Sequence, residues 1–581
     1  MLDKFQSWFM ARTVPQRIKW GIGAFLALLF LWKYGESLLH LLGVIVGGII
    51  TILFWVVVGF LIYRSDQQRK KAKAMPPPDK TGLAQQQQAE HEAKFPLGFA
   101  LRSPDAAFTV FLNNPFRGTL ILGGAGAGKS FSLIEPLIYQ AVEKQYAGLL
   151  YDYKFPELTR HLAQAYRLAG RAGRPGVVNF ENLSCSNRVN PLALMPSVSY
   201  AQEYASAVFA NLLPESVAKP DFWTRSAEAV LAAVFWFLHE HHPEHGTLPH
   251  AVAFLLLPIE DVVSALSTDT QCAGLVASVR QAVDSKAANQ LSGVTSTLQL
   301  PLAKINTPEI AWVLSADDFN LNLNDLENPR WLVIGNSPTL SETYSPVLSL
   351  IATSCIKQLN QQNKAPSMVL LDEAPTLYIP KLDNLPATGR SNKVATVYAA
   401  QDLAQMVDRY GQVKADTLLA NFGNQFYGRV SHPKTAEHVS RIFGKMDKKF
   451  TTSSETLGPS GLLHGPLLMS TSVSSSTQQR DRVQVQEISQ LKPGEFYGIV
   501  VESEMPEFKI DFAPPSLPRP AELAPVQAVS SADVRANFDT IHQQARAILD
   551  RYRNAGTPGA APAAGPSLDT KAPNKWENFA R

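Results

Sequence analysis

Cysteine is almost missing from this chain, with Cys185, Cys272 and Cys355 the only three among 581 residues. An odd number at such separations makes neither a disulfide framework nor a zinc-ligand pattern, and it fits a reducing compartment. Charge is scarce as well. Charged side chains make up 18% of the sequence, and 53 basic against 50 acidic ones leave +3. That balance is too small to announce a nucleic-acid partner by itself. What the chain has in quantity is apolar mass, 45% of its residues, which excludes a fibrous or fully disordered protein. One core serves at most about 250–300 residues, so several domains are expected.

The apolar residues are unevenly spread. From Trp20 to Tyr63 the sequence is almost wholly apolar, broken once by Lys33-Tyr34-Gly35-Glu36-Ser37. At ~1.5 Å per residue the second run, Leu38 to Tyr63, crosses a hydrocarbon core of ~30 Å with some tilt. The first run, Ile18 to Tyr34, is near the lower limit for a span. Trp20, Trp32, Tyr34 and Tyr63 stand near the run ends, where aromatic rings prefer the headgroup layer. Lys4, Arg12, Arg17 and Lys19 precede the pair, and Arg64, Arg69, Lys70, Lys71 and Lys73 follow it. Basic flanks on both outer sides put both termini in the cytoplasm. Residues 1–63 therefore read as a two-helix transmembrane hairpin. The competing reading makes the first run a cleaved signal peptide, but no small-residue cleavage site precedes the second. His40, inside the second run, is either a tolerated polar group or a proton relay.

Residues 64–94 are polar, basic and proline-containing, a cytoplasmic linker. From 95 to 512 short aliphatic runs alternate with helical stretches. The candidate strands are Thr119 to Leu122, Gly148 to Tyr151, Val177 to Phe180, Trp331 to Ile334, Met368 to Leu371, Val394 to Ala399, Asn424 to Val430 and Phe496 to Val501. Continuous apolar strands separated by helices predict a mostly parallel sheet covered on both faces. Residues 221–312 carry only helical patterns and read as an all-α insertion, which divides a nucleotide-binding domain into 95–220 and 313–512. Residues 451–480, rich in Ser, Thr and Gly, suggest a mobile loop. Residues 513–581 form a Pro/Ala-rich tail containing one amphipathic helix. Its capping box is Ser530 to Asp533, and Val534, Phe538, Ile541, Ile548 and Leu549 share one face.

The chemistry centres on Gly123-Gly124-Ala125-Gly126-Ala127-Gly128-Lys129-Ser130, which fits the phosphate-loop pattern G-x-x-x-x-G-K-[ST] between a strand and a helix. Its glycines let backbone N–H groups cradle phosphate oxygens, Lys129 would neutralise the β- and γ-phosphates of ATP, and Ser130 would bind Mg²⁺. The second half of such a site is Met368-Val369-Leu370-Leu371-Asp372-Glu373: Asp372 for the metal shell, Glu373 to polarise the attacking water. Gln401, at the tip of the next strand, can sense the γ-phosphate, and Arg390 can reach a neighbouring subunit as an arginine finger. A strand-capping Gln and a solvated Arg are the alternatives. Lys434, Arg441, Lys445, Lys448 and Lys449 form a basic stretch that is either a solvated helical face or a grip on a phosphate backbone.

These motifs in this order resemble the type IV coupling proteins of conjugation systems. The matching segments are Leu371-Asp372-Glu373-Ala374-Pro375, Ile379-Pro380, Asn190-Pro191-Leu192, Asp221-Phe222-Trp223, Ala400 to Gln405 and Tyr410-Gly411. Asn114-Pro115-Phe116-Arg117-Gly118 resembles the mobilisation-type branch found in conjugative transposons. The resemblance implies a hexameric RecA-like phosphate-loop ATPase in the bacterial inner membrane, using ATP and Mg²⁺. It would take single-stranded DNA bound to a relaxase and pass it to the proteins of a type IV secretion channel. The family usually shows Asp-x-Lys-Gly-Glu after the second strand, whereas this chain has Asp152-Tyr153-Lys154-Phe155-Pro156-Glu157, which leaves the role of Asp152 and Lys154 open. Other readings are a chromosome-segregation translocase, a transporter ATPase and a substrate receptor that uses nucleotide for assembly only. Gln290-Leu291-Ser292-Gly293 superficially matches a transporter signature but lies in the wrong place, far upstream of the acidic strand.

Overall fold

The computed structural model describes residues 19, 22, 91, 93–104, 108–457, 469–512 and 518–555. The expected anchor, apart from exposed helical residues 19 and 22, lies outside the described residues, as do most of the linker and residues 556–581. Among the described residues no helix is long and apolar enough to cross a membrane. The elements below belong to the unit His91–Arg581.

A small antiparallel hairpin of β1 (Phe99–Arg102) and β2 (Thr109–Leu112) comes first. The chain then enters the central sheet through β3 (Thr119–Leu122), β4 (Ala147–Asp152), β5 (Gly176–Val178), β6 (Trp331–Gly335), β7 (Ser367–Leu371), β8 (Val394–Ala400) and β9 (Asn424–Tyr427). A long hairpin, β10 (Lys445–Leu457) with β11 (Met469–Asp481), precedes β12 (Glu495–Ile499) and β13 (Glu507–Asp511), which return to the sheet. The nine-stranded sheet runs β13-β12-β9-β3-β8-β7-β4-β6-β5. From β9 to β5 every pairing is parallel, and only the pairings of β12 with β9 and with β13 are antiparallel.

The central strands are buried along their whole length because helices cover both faces. Leu120, Leu149, Tyr151 and Leu371 join the core on one side, and Ile121, Leu150, Met368 and Leu370 the core on the other. The covering helices are α1 (Glu135–Glu143), α2 (Glu157–Leu168), α3 (Val198–Leu212), α9 (Ser341–Leu359) and α10 (Leu403–Tyr410), named in chain order with those that follow.

Between β5 and β6 the described chain is helical or irregular, without a strand. Its main helices are α4 (Phe222–His241), α5 (Leu248–Leu255), α6 (Ile259–Leu266), α7 (Ala288–Lys304) and α8 (Pro308–Leu314). Asp221 starts α4 by accepting from the Thr224 N–H at 2.7 Å. In α7, a Cβ on Gly293 would meet the Trp223 ring at 2.8 Å, so this glycine is needed for close packing under an aromatic ring.

One expectation is corrected. Residues 451–480 do not form a mobile loop through their length, since 451–457 and 469–480 lie in β10 and β11. Their hydrogen bonds are backbone bonds between paired strands, which Ser and Thr satisfy as well as apolar residues do. From residue 518 to 555 the C-terminal segment packs on the rest of the unit. Ala521 N–H donates to Arg160 C=O and Val526 N–H to Ser184 C=O. Then α11 (Ser531–Ala555) lays Ile541, Ala545, Ile548 and Leu549 into the core shared with the helical block.

Candidate nucleotide-binding site

The site grows from the strand order. Since β8 lies between β3 and β7, Gly123, Gln401 and Asp372 fall just beyond three adjacent strand ends. Leu122 pairs with Ala400 and Leu371 with Tyr398, and Gly123 N–H donates to Ala400 C=O at 3.1 Å. This C-terminal edge of a parallel sheet is where open α/β folds place ligands.

The loop Gly123–Ser130 is braced from outside. Gly124 N–H donates to Arg429 C=O at 2.7 Å, and Gly494 N–H donates to Ala127 C=O at 3.0 Å. Gly126 and Gly128 hold φ values of +71° and +92°, a region that admits glycine without penalty. Ala125 and Gly126 are exposed at the tip, whereas Lys129 is buried. The chain leaves the loop through a π-turn, Ser130–Ile134, into α1.

Lys129 Nζ donates to Gly123 C=O at 2.7 Å and lies 3.3 Å from Glu373 Oε1. Glu373 itself sits in the left-handed region, at φ +46° and ψ +46°. Burial, then the neighbouring Glu373 and Asp152 carboxylates, push the Asp372 carboxyl up to about 7. Asp152 is fully buried. Its Oδ2 accepts from Thr159 N–H at 2.9 Å and Thr159 Oγ1 at 2.6 Å, while its Oδ1 is buried without a hydrogen-bond partner. Burial pushes that carboxyl up to about 6. The Asp372 carboxyl thus feels the carboxylates of Glu373 and Asp152 on one side and the ammonium groups of Lys129 and Lys154 on the other. Among the described residues no group of three or more His, Cys, Asp or Glu side chains forms a ready-made metal site, and the Ser130 hydroxyl with the Asp372 carboxyl fits a hard divalent cation such as Mg²⁺ that takes its other oxygen ligands from phosphate and water.

Lys129, Ser130, Asp372, Glu373 and Gln401 are thus brought to one edge of the sheet, and Arg390 is not. It precedes β8, whose seven residues separate it by roughly 20 Å from the phosphate-loop edge of its own chain. There Arg390 lies 3.5 Å from Glu502 Oε1, which also accepts from Arg117 Nε at 2.8 Å. Asn114 Nδ2 donates to the other carboxylate oxygen at 3.0 Å. Sequence reasoning did not single out Arg117 or Glu502 as partners of Arg390. The only signal was that Arg117 lies within the motif Asn114 to Gly118.

A phosphate loop, a second acidic strand end and a polar residue on the strand between them define a phosphate-loop nucleoside triphosphatase of the RecA-like class. The model of the type IV secretory system conjugative DNA transfer family matches residues 80–510. The chain belongs to that family and is a coupling protein for conjugative DNA transfer. In fold it is similar to the bacterial conjugative coupling protein TrwB lacking its first 70 residues. With the unbound form the identity is 17% and the TM-score 0.53, over 73% of this chain and 88% of that one. With the TrwB complex of ADP and Mg²⁺ these values are 17% and 0.51, over 71% and 87%. With the complex of a non-hydrolysable GTP analogue they are 18% and 0.53, over 71% and 88%. No curated protein matches the chain.

Proposed function

We propose that this protein is an inner-membrane ATPase that hydrolyses Mg²⁺·ATP to drive relaxase-bound single-stranded DNA through a type IV secretion channel. It would act as a homo-hexamer held by an N-terminal two-helix hairpin. The observation that carries the reading is the meeting of Lys129, Ser130, Asp372, Glu373 and Gln401 at three adjacent strand ends, within a chain of the conjugative transfer family. The TrwB complexes with ADP and Mg²⁺ and with an ATP analogue support the choice of nucleotide and metal. The mobilisation-type branch is proposed on the segment Asn114 to Gly118 alone.

Mg²⁺, when bound, supplies charge neutralisation on the phosphates. The chain's own groups divide the rest. Backbone N–H groups of Gly123–Ser130 hold the phosphates, Lys129 meets their charge, and Ser130 and Asp372 hold the metal. Because Lys129 is close to Glu373, a phosphate reaching the loop competes with that carboxylate for the ammonium. Glu373, so released, orients and deprotonates the attacking water. Gln401 reports the γ-phosphate through β8. Arg390, on the far edge of its own sheet, serves the site of the next subunit.

The test is ATP turnover by the full chain in detergent, with and without single-stranded DNA. Stimulation by DNA is expected. Turnover indifferent to DNA would favour a receptor that uses nucleotide for assembly. Lys129→Ala is expected to abolish turnover and conjugative transfer, and normal transfer by a Glu373→Gln strain would sink the assignment of the base.

A further inference from the structure

Glu373 is not glycine, yet its backbone is left-handed, a conformation that persists in such residues only when the surroundings impose it. What imposes it here is a one-way chain of hydrogen bonds. The Glu373 carbonyl accepts from Thr376 N–H at 3.0 Å and from Thr376 Oγ1 at 2.7 Å. With its proton given to that carbonyl, Thr376 Oγ1 can only accept from the Tyr151 hydroxyl, 2.8 Å away. Tyr151 in turn accepts from Asn336 Nδ2 at 2.8 Å. The Asn336 amide is fixed the right way round, because its Oδ1 accepts from the Ser337 N–H at 2.8 Å.

Each member is set by a different strand. Tyr151 lies in β4, Asn336 follows β6, and Thr376 closes the turn after β7. Tyr151 and Asn336 are buried. Burial lifts the Tyr151 hydroxyl far above its ordinary range, so it remains a donor. The chain is closed from the other side by Ser345, whose Oγ donates to the Thr376 carbonyl at 3.4 Å from the first turns of α9.

We propose that Tyr151 and Thr376, backed by Asn336, are positioning residues for hydrolysis: they hold the Glu373 backbone in its left-handed turn and so aim its carboxylate at the phosphate loop. The inference rests on the reading of Glu373 as the base. Tyr151 and Thr376 lie outside the phosphate loop, in β4 and in the turn after β7, so their loss should act on the chemical step rather than on binding.

The experiment uses the full chain in detergent and compares Thr376→Val, Thr376→Ser, Tyr151→Phe, the double variant Tyr151→Phe/Thr376→Val, and Glu373→Gln. Thr376→Val keeps the shape and removes the hydroxyl. It should lower kcat by about 10–100-fold, while the Kd of a fluorescent ATP analogue stays within about 2-fold of wild type. Thr376→Ser restores the hydroxyl and should recover most of kcat. Tyr151→Phe should match Thr376→Val, and the double variant should be no worse than either, since both break one chain. Melting curves identify a variant that fails to fold, and Tyr151→Phe and Thr376→Val stand as independent breaks. Inactive Glu373→Gln beside fully active Thr376→Val would overturn the positioning role alone, as would equal losses in the Val and Ser variants. Normal turnover by Glu373→Gln would instead remove the base assignment on which the inference rests.

Discussion

At the scale of single residues, two glycines of the phosphate loop separate backbone strain from collision. A Cβ on Gly128 would stand 2.7 Å from Gly494 N, with φ already at +92°. A Cβ on Gly126, φ +71°, would meet nothing nearer than Arg429 Nη2 at 3.9 Å. Left-handed strain alone costs on the order of 1–3 kcal/mol, so Gly126→Ala should keep a folded, weakened loop. Gly128→Ala must also displace the backbone that braces Ala127. It should lose at least about tenfold more affinity for a fluorescent ATP analogue than Gly126→Ala, a gap of ~1.4 kcal/mol or more. Equal losses would mean that the Gly494 brace is irrelevant. The loop and its acidic partner were legible in the sequence because each is a contiguous motif. The Glu502 clamp was not, since Asn114, Arg117, Arg390 and Glu502 are joined only by the fold. The same holds for the hydroxyl chain behind Glu373, where nothing about an isolated Tyr151 or Asn336 signals a shared task.

At the scale of elements, the buried parallel strands were readable from unbroken aliphatic runs, and the amphipathic face of α11 from its period. What covers that face was not readable, because the partners lie far away in the chain. Gln544 meets His250 at 2.9 Å, Tyr552 meets His242 at 3.1 Å, and Arg553 pairs with Asp261 at 2.6 Å. Ile548 and Leu549 are buried beneath these contacts. Each replaced by alanine should cost about 2–5 kcal/mol in denaturant melts. The docking also carries a pH dependence. His250 is 4% exposed and held neutral between Thr247 and Gln544. Burial brings its pKa down to about 4, against ~6.5 when undocked. Above about pH 6.5 both states are neutral and pH has no effect through this group. Between 6.5 and 4 the unfolded state binds the proton first, so stability falls as pH falls. Between pH 7.5 and 5.5 the stability of the wild type should therefore fall by about 1 kcal/mol relative to that of His250→Asn, a difference between two melting series that cancels the opposite contribution of the buried carboxyls with raised pKa values. The β10–β11 hairpin was misread for the opposite reason. Its Ser- and Thr-rich sequence lacks apolar alternation, and its pairing is satisfied by the backbone ladder.

At the scale of the whole molecule, one chain is an incomplete catalyst on the proposed reading. Its phosphate loop and its Arg390 lie at opposite edges of one sheet, so Arg390 can act on nucleotide only in the site of another copy. A ring built head to tail brings the two edges together at every interface, because a heterologous contact presents different surfaces of the same chain to each other. The small net charge of +3 is compatible with DNA in such a ring, because phosphate contacts are local to the groove. The arrangement predicts complementation between two dead variants. Lys129→Ala chains cannot hold nucleotide and Arg390→Ala chains cannot finish a neighbour's site, so each alone should show no DNA-stimulated turnover. In a 1:1 mixture, roughly a quarter of interfaces pair an intact loop with an intact arginine, and about that fraction of turnover should return. The readout is ATP turnover of co-assembled chains against each variant alone. If Arg390 acts within its own chain, or only steadies Glu502, no complete site is created by mixing, and the mixture adds nothing to the two variants measured apart.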